Sequence, residues 1–262
     1  MSADRTVVLE RDADGIAWLR IARPQTRNAM SAAMWERLSA HLAVIAGDRA
    51  VRGLVICGTG DAFVSGADIA DFATFADAAD GLAYEATVAR ALDALERLPI
   101  VTIAAIAGAC TGGGAILACA CDLRIGAANA RVGLPIARTV GNMTTAANVA
   151  RLIAVVGRSR VMRWLLTAQL DAAEAALAAG FFTEVVETFD DVLERSADVA
   201  RRIAAHAPLT IAATKELARR MLHASVAGVE DRDLMERCYG SEDFAEAVRA
   251  FAAKQIGQFM GR

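Results

Sequence analysis

The spacing of apolar positions changes several times along the chain, and each change marks an expected element. TVVLE and GIAWLRI are short runs of strand type, joined by RDADG, whose composition suits a hairpin turn. From Ala33 to Ile45 the residues Met34, Leu38, Leu42 and Ile45 recur at helical spacing behind Ser31, a suitable cap. GLVIC, Gly53 to Cys57, is short and apolar and runs into the turn-forming GTGDA, so it reads as a buried strand. A helical stretch from Gly81 to Leu98 ends at Pro99, and IVTIAAIAG supplies the next strand. CDLRIGA and RVGLPI add two more. Beyond Thr144 the spacing is almost wholly helical, broken by Gly157, Gly180 and the strand-like FFTEVVE. Strands alternating with helices predict an α/β core over 1–188, followed by a helical C-terminal region over 189–262.

One apolar stretch admits a different reading. Ile100 to Cys121 carries no charge and is long enough to cross a bilayer, but Gly112, Gly113 and Gly114 interrupt it. A buried strand, a glycine turn and a buried helix account for it better than a membrane span. The 262 residues suffice for one large core, and 28 basic against 31 acidic residues leave no basic stripe, which argues against nucleic acid as a partner. Lysine occurs only at 215 and 254, arginine supplying the other cations. Five cysteines without CxxC pairing suit a reducing cytoplasm rather than a disulfide framework or a metal site. The charged N-terminus MSADRTVVLERDADG lacks the apolar core of a signal peptide.

Two turns hold glycine between a buried strand and a helix: AFVSGADI, with Gly66 and Ala67, and CTGGGAIL, with Gly112 to Gly114. N–H groups at a helix start have no partner within the helix, so two of them converging on one carbonyl oxygen would form an oxyanion hole. The same glycines also fit ordinary tight turns. The triplet is neither a phosphate-binding loop ending in GKS or GKT nor a GxGxxG dinucleotide fingerprint.

Four stretches in order, RPQTRNAM (Arg23 to Met30), AFVSGADI (Ala62 to Ile69), IAAIAGACTGGGAILACACDLRIGA (Ile103 to Ala127) and SEDFAEAVRAFAAKQ (Ser241 to Gln255), make the chain resemble the crotonase, or enoyl-CoA hydratase/isomerase, superfamily. The resemblance spans nearly the whole sequence. It implies a spiral of ββα turns with a C-terminal helical trimerisation region, assembled as a homotrimer or a dimer of trimers. It further implies an acyl-coenzyme A thioester as ligand, with no cofactor beyond the coenzyme A moiety. By position, the thioester oxygen would be held by the Ala67 and Gly113 N–H groups. The coenzyme A pocket would draw on Ala62, Val64, Gly66, Asp68 and Ile69, with Phe251 and Lys254 approaching the nucleotide. Ala70 stands where the family frequently carries Lys, so phosphate pairing would be weaker or borrowed from an arginine. Asp68 also suits the cap of the helix after the first glycine turn.

In the hydratases of this family two glutamates split a water molecule between them. The first lies two residues past the glycine triplet, where this chain has Ile116. The second follows the Pro of the short strand, where Pro135 is followed by Ile136. Isoleucine moves no proton, which puts ordinary two-glutamate hydration in doubt and weakens a one-base reaction at the second position. TVGNMTTA is similar to a turn in the dehalogenase branch, with Met143 in place of the nucleophilic Asp.

Other groups remain as candidates. Arg138 could hold a substrate carboxylate or lie at the surface. Asn142, Thr144 and Thr145 could line the pocket or cap the helix beginning near Thr144. Asp71 and Glu85 lie on or beside helices that roof the pocket in the family, and either could supply a carboxylate. His41, His206 and His223 fall away from both glycine turns, and no GxSxG element points to a hydrolase triad.

The leading expectation is an acyl-coenzyme A enzyme working through a stabilised thioester enolate. The alternatives are a silent acyl-coenzyme A binding subunit, or a decarboxylase with Arg138 positioning the departing carboxylate. An inward carboxylate among Asp71 and Glu85 would favour an enzyme, and an all-apolar lining a binder.

Overall fold

A computed structural model describes residues 6–255 and 257–262. A hairpin opens the fold: β1 (Val7–Arg11) pairs antiparallel with β2 (Ile16–Ile21) around Asp12, whose Oδ1 accepts the Asp14 and Ile16 N–H groups. Then α1 (Ala32–Gly47) begins at Ser31, whose side chain accepts the Met34 N–H as the spacing suggests.

Three ββα turns follow. Each sends one strand into a large sheet and the next into a small one before a helix returns the chain. The first turn holds β3 (Gly53–Gly58), β4 (Ala62–Val64), α2 (Ile69–Phe72) and α3 (Ala78–Glu96). The second holds β5 (Val101–Ile106), β6 (Ala109–Thr111) and α4 (Gly113–Ala120). The third holds β7 (Leu123–Ala127), β8 (Arg131–Gly133), α5 (Ile136–Thr139) and α6 (Ala146–Thr167). The chain then forms β9 (Asp171–Ala172), α7 (Ala173–Ala178), β10 (Glu184–Val186) and the helices α8 (Phe189–Ala204), α9 (Pro208–Ser225), α10 (Arg232–Tyr239) and α11 (Glu242–Ala252). The large sheet has the order β1-β2-β3-β5-β7-β10 and the small one β4-β6-β8-β9. Strands β3, β5 and β7 run parallel, as do β4, β6 and β8, which is the spiral.

Alternation along the central strands serves both faces of the large sheet. Leu54, Ile56, Ala104 and Ile106 join the main core with α1, α3 and α4. Their neighbours Val55, Cys57, Ile103 and Ala105 face Val192 and Ala200 of α8. Thus α8, the first helix of the C-terminal helical region, is laid directly on the sheet.

One local expectation is corrected and one is narrowed. RVGLPI is a strand only to Gly133, because the Pro135 carbonyl accepts the Arg138 and Thr139 N–H groups and turns Ile136–Thr139 into one helical turn. The cap of α6 is Thr145, which accepts the Asn148 N–H, so Asn142 is left for another partner. Among the described residues, no helix is long and apolar enough to cross a membrane, and the stretch from Ile100 to Cys121 is divided between β5, β6 and α4.

Candidate active site

The two glycine turns meet back to back. Gly66 has φ +123° and Gly112 φ +54°, and a Cβ on Gly112 would stand 3.5 Å from the Gly66 Cα. A Cβ on Gly113 would lie 4.0 Å from the Gly66 carbonyl carbon, the atom bonded to the Ala67 nitrogen. Thr111 Oγ1 ties the turns by donating to the Ser65 carbonyl at 2.8 Å. Behind them α4 rests on β4 so closely that a Cβ on Gly114 would stand 2.8 Å from Val64 Cβ and would overlap the Val64 carbonyl. The neighbouring amides are occupied: Met30 N–H donates to the Gly66 carbonyl, Asp68 N–H to the Met30 carbonyl and Gly112 N–H to the Gly133 carbonyl. Among the described residues, no acceptor takes the Ala67 N–H, and Gly113 is the first residue of α4, whose N–H has no partner within the helix. Both residues line one cavity of about 710 Å³.

The cavity wall includes the apolar residues Trp35, Phe72, Val88, Ile116, Ile136 and Met143. Its carboxylates, among the described residues, are Asp68 and Glu85. Asp68 is committed elsewhere, since it accepts the Ala70 N–H at the start of α2 and pairs with Arg23. Glu85 is only 8% exposed and, among the described residues, has no cationic partner. Burial pushes its carboxyl up to about 7, against a hydrogen bond that favours the charged form: the Tyr239 hydroxyl donates to Glu85 Oε1 at 2.7 Å. Asn142 Nδ2 donates in turn to Tyr239 Oη at 3.0 Å, and Asn142 Oδ1 is buried without a partner. A carboxyl raised toward neutral pH that lines the same cavity as two free N–H groups is equipped for proton transfer.

The candidates read from the sequence divide accordingly. Ala67, Gly113, Glu85, Asn142, Gly66, Asp68, Ile69 and Phe251 all line the cavity. Arg138 does not: it is exposed on α5, whose short turn carries it outward. Ala62 and Val64 are buried within β4, the strand that leads to Gly66, and do not line this cavity. Lys254 is exposed, at φ +56°, and is not part of the wall. Asp71 also points elsewhere, accepting the Ala32 N–H at the start of α1 at 2.7 Å. Arg23, the exposed Arg27 and Ala70 also line the cavity. His41 sits against the Val7 carbonyl, and His206 and His223 are exposed. Cys110 is a core thiol pushed well above its ordinary range by burial. Tyr239 escaped the sequence reading. Its one visible signal is that Gly81 and Glu85 stand four apart on α3, a small residue one turn before a carboxylate.

A ββα spiral whose glycine turns present two free amides to a deep cavity defines a crotonase-type acyl-thioester scaffold. The chain belongs to the enoyl-CoA hydratase/isomerase family, whose sequence model matches residues 11–262. It is 32% identical to the 2,3-dehydroadipyl-CoA hydratase of Escherichia coli over 246 residues, 93% of this chain and 94% of that one. It is similar, at 32% identity and a TM-score of 0.79, to the crystal structure of an enoyl-CoA hydratase/carnithine racemase from Magnetospirillum magneticum, covering 98% of this chain and 96% of that one. A methylmalonyl-CoA decarboxylase in complex with 2-nitronate-propionyl-CoA has a TM-score of 0.89 over 98% of this chain and 99% of that one, at 22% identity, a likeness of fold alone.

Proposed function

We propose that this protein moves a proton on an acyl-coenzyme A thioester through an enolate, using one carboxylate where the hydratases use two. The thioester oxygen accepts from the Ala67 and Gly113 N–H groups, and Glu85 carries the proton. With a 3-enoyl thioester, the Glu85 carboxylate takes a proton from C2, and the electron pair flows into a dienolate on the thioester oxygen. The same carboxyl returns the proton at C4 and leaves the double bond between C2 and C3. Main-chain donors fixed before the charge forms contribute the larger stabilisation, about 3 to 4 kcal/mol for one donor.

The observation that carries this reading is the buried Glu85 carboxyl lining the cavity, raised to about 7. Ile116 and Ile136 line the same cavity and offer no second acid, which favours double-bond migration over addition of water. The decarboxylase alternative loses its clamp with Arg138 outside the cavity. A silent binder would need no buried carboxyl there. The exposed Arg27 of the cavity wall is suited to the coenzyme A phosphates, with Phe251 beside the nucleotide and Lys254 added on assembly. No cofactor beyond the coenzyme A moiety enters the scheme. Homotrimers, or pairs of them, would cover the exposed Leu209, Leu217 and Met221 of α9.

The test follows a 3-enoyl-coenzyme A in deuterated water by mass spectrometry, with Glu85→Gln alongside. Removing the carboxyl is expected to slow isomerisation and deuterium uptake by about 100- to 10,000-fold. Wild-type rates in the variant, or crotonyl-coenzyme A hydration outpacing isomerisation in the wild type, would refute the scheme.

A further inference from the structure

The geometry points to Tyr239 as a positioning residue that, seated by Gly81 and oriented by Asn142, keeps Glu85 satisfied both with and without its proton. This inference rests on the reading of Glu85 as the proton carrier. It starts from the contact between α3 and α10. A Cβ on Gly81 would stand 2.8 Å from Tyr239 Cβ, so the tyrosine lies directly on the backbone of α3. Glu85 is one turn further along the same face, which brings its Oε1 to the phenol. Edge contacts with Phe72 (6.5 Å, 88°) and Phe244 (5.1 Å, 65°) fix the ring plane.

The hydrogen bonds give this contact a direction. With Glu85 ionised, Asn142 N–H donates to Tyr239 Oη, and Tyr239 O–H donates to Glu85 Oε1. Asn142 Oδ1 is then the one buried side-chain atom of this chain of groups left unpaired. With Glu85 protonated, its O–H donates to Tyr239 Oη, the phenolic hydrogen swings to the amide, and Asn142 turns over so that Oδ1 accepts it. A hydroxyl both donates and accepts, and an amide presents either end, so the row of groups reverses without losing a bond. A buried carboxyl without such a donor would be held in its neutral form and would make a poor base. The other titratable groups facing Glu85 are Asp231, at the start of α10, and Tyr84, its neighbour on α3. Neither can donate from a positive charge, so the Tyr239 hydroxyl is what supports the carboxylate.

The full-length protein carries the test, with the pH dependence of kcat/KM for deuterium uptake by a 3-enoyl-coenzyme A as readout. Tyr239→Phe keeps the ring and removes the donor. Its Glu85 limb is expected to move up by about one to two pH units, with rates at pH 6 falling roughly ten- to a hundredfold and recovering above the new limb. Asn142→Leu should move the limb the same way by less, and it repeats the test if the tyrosine variant folds poorly. Infrared titration of the carboxyl band lost in Glu85→Gln reads the same shift without turnover. A uniform loss of rate at every pH with the limb unmoved would reduce Tyr239 to packing and overturn the inference. A Glu85→Gln variant with wild-type uptake would instead bring down the Glu85 reading, and this inference with it.

Discussion

Replacing Glu85 by Gln should make the protein more stable in a pH-dependent way. In the folded chain the Glu85 carboxyl is raised from its ordinary 4.5 to about 7 by burial. Between those pH values the folded state keeps a proton that the unfolded chain has released. Stability therefore falls as pH rises through that window and levels off above about 7. The gap between the two values corresponds to roughly 3 kcal/mol. Gln fills the same space, still accepts the Tyr239 hydroxyl and never ionises. Wild type and variant should run close together near pH 4.5 and separate to roughly 3 kcal/mol in the variant's favour by pH 8. For a chain of this size that is roughly 6 °C in Tm. Thermal unfolding from pH 4.5 to 8 at matched protein concentration, so that assembly contributes equally, measures the separation. Curves that stay parallel across the range would refute the reasoning, because Glu85 would then carry no proton of its own on folding.

Further outcomes follow from the contacts. Gly114→Ala drives a methyl into the Val64 carbonyl, so it should destabilise by at least about 1 to 3 kcal/mol and displace the Gly113 N–H, seen as a lower Tm and weaker acyl-coenzyme A binding by calorimetry. Gly81→Ala gains about 1 kcal/mol of helix propensity but collides with Tyr239 Cβ; the collision should win, lowering Tm and raising the pH at which Glu85 becomes active. Asp68→Ala loses the cap of α2 and should lower stability by about 1 kcal/mol in urea unfolding. Placing glutamates at both Ile116 and Ile136, which line the cavity, should raise crotonyl-coenzyme A hydration at least about a hundredfold over the wild type.

The elements that could be read from the sequence are those whose signal is local. Ser31 before a helical spacing, and the wholly apolar Gly53 to Cys57, announce their structures within a few residues. The glycine turns are legible for the same reason, since a strand, a positive φ and a helix start follow one another directly. Glu85 was legible only as one of two acids on or beside the helices, because the partner that marks it out, Tyr239, lies on α10. Asp71, equally plausible beforehand, is taken by the Ala32 amide across 39 residues of chain. Arg138 and Asn142 stand four residues apart, yet the helical turn begun at Pro135 leaves the first exposed on α5 while the second, beyond it, reaches Tyr239. Such partners are fixed by tertiary packing, and residue spacing carries no trace of them.

The bond between Tyr239 and Glu85 spans 154 residues. During synthesis at ordinary rates, the helix bearing Glu85 waits roughly 8 to 30 s before its tyrosine is added to the chain. Over that interval Glu85 has no Tyr239 hydroxyl from which to accept. The two glycine turns are in the chain by residue 114, and the Gly112 N–H gains its acceptor when Gly133 follows. In the order of synthesis, the proposed oxyanion donors Ala67 and Gly113 thus precede by more than a hundred residues the tyrosine that supports the proposed proton carrier.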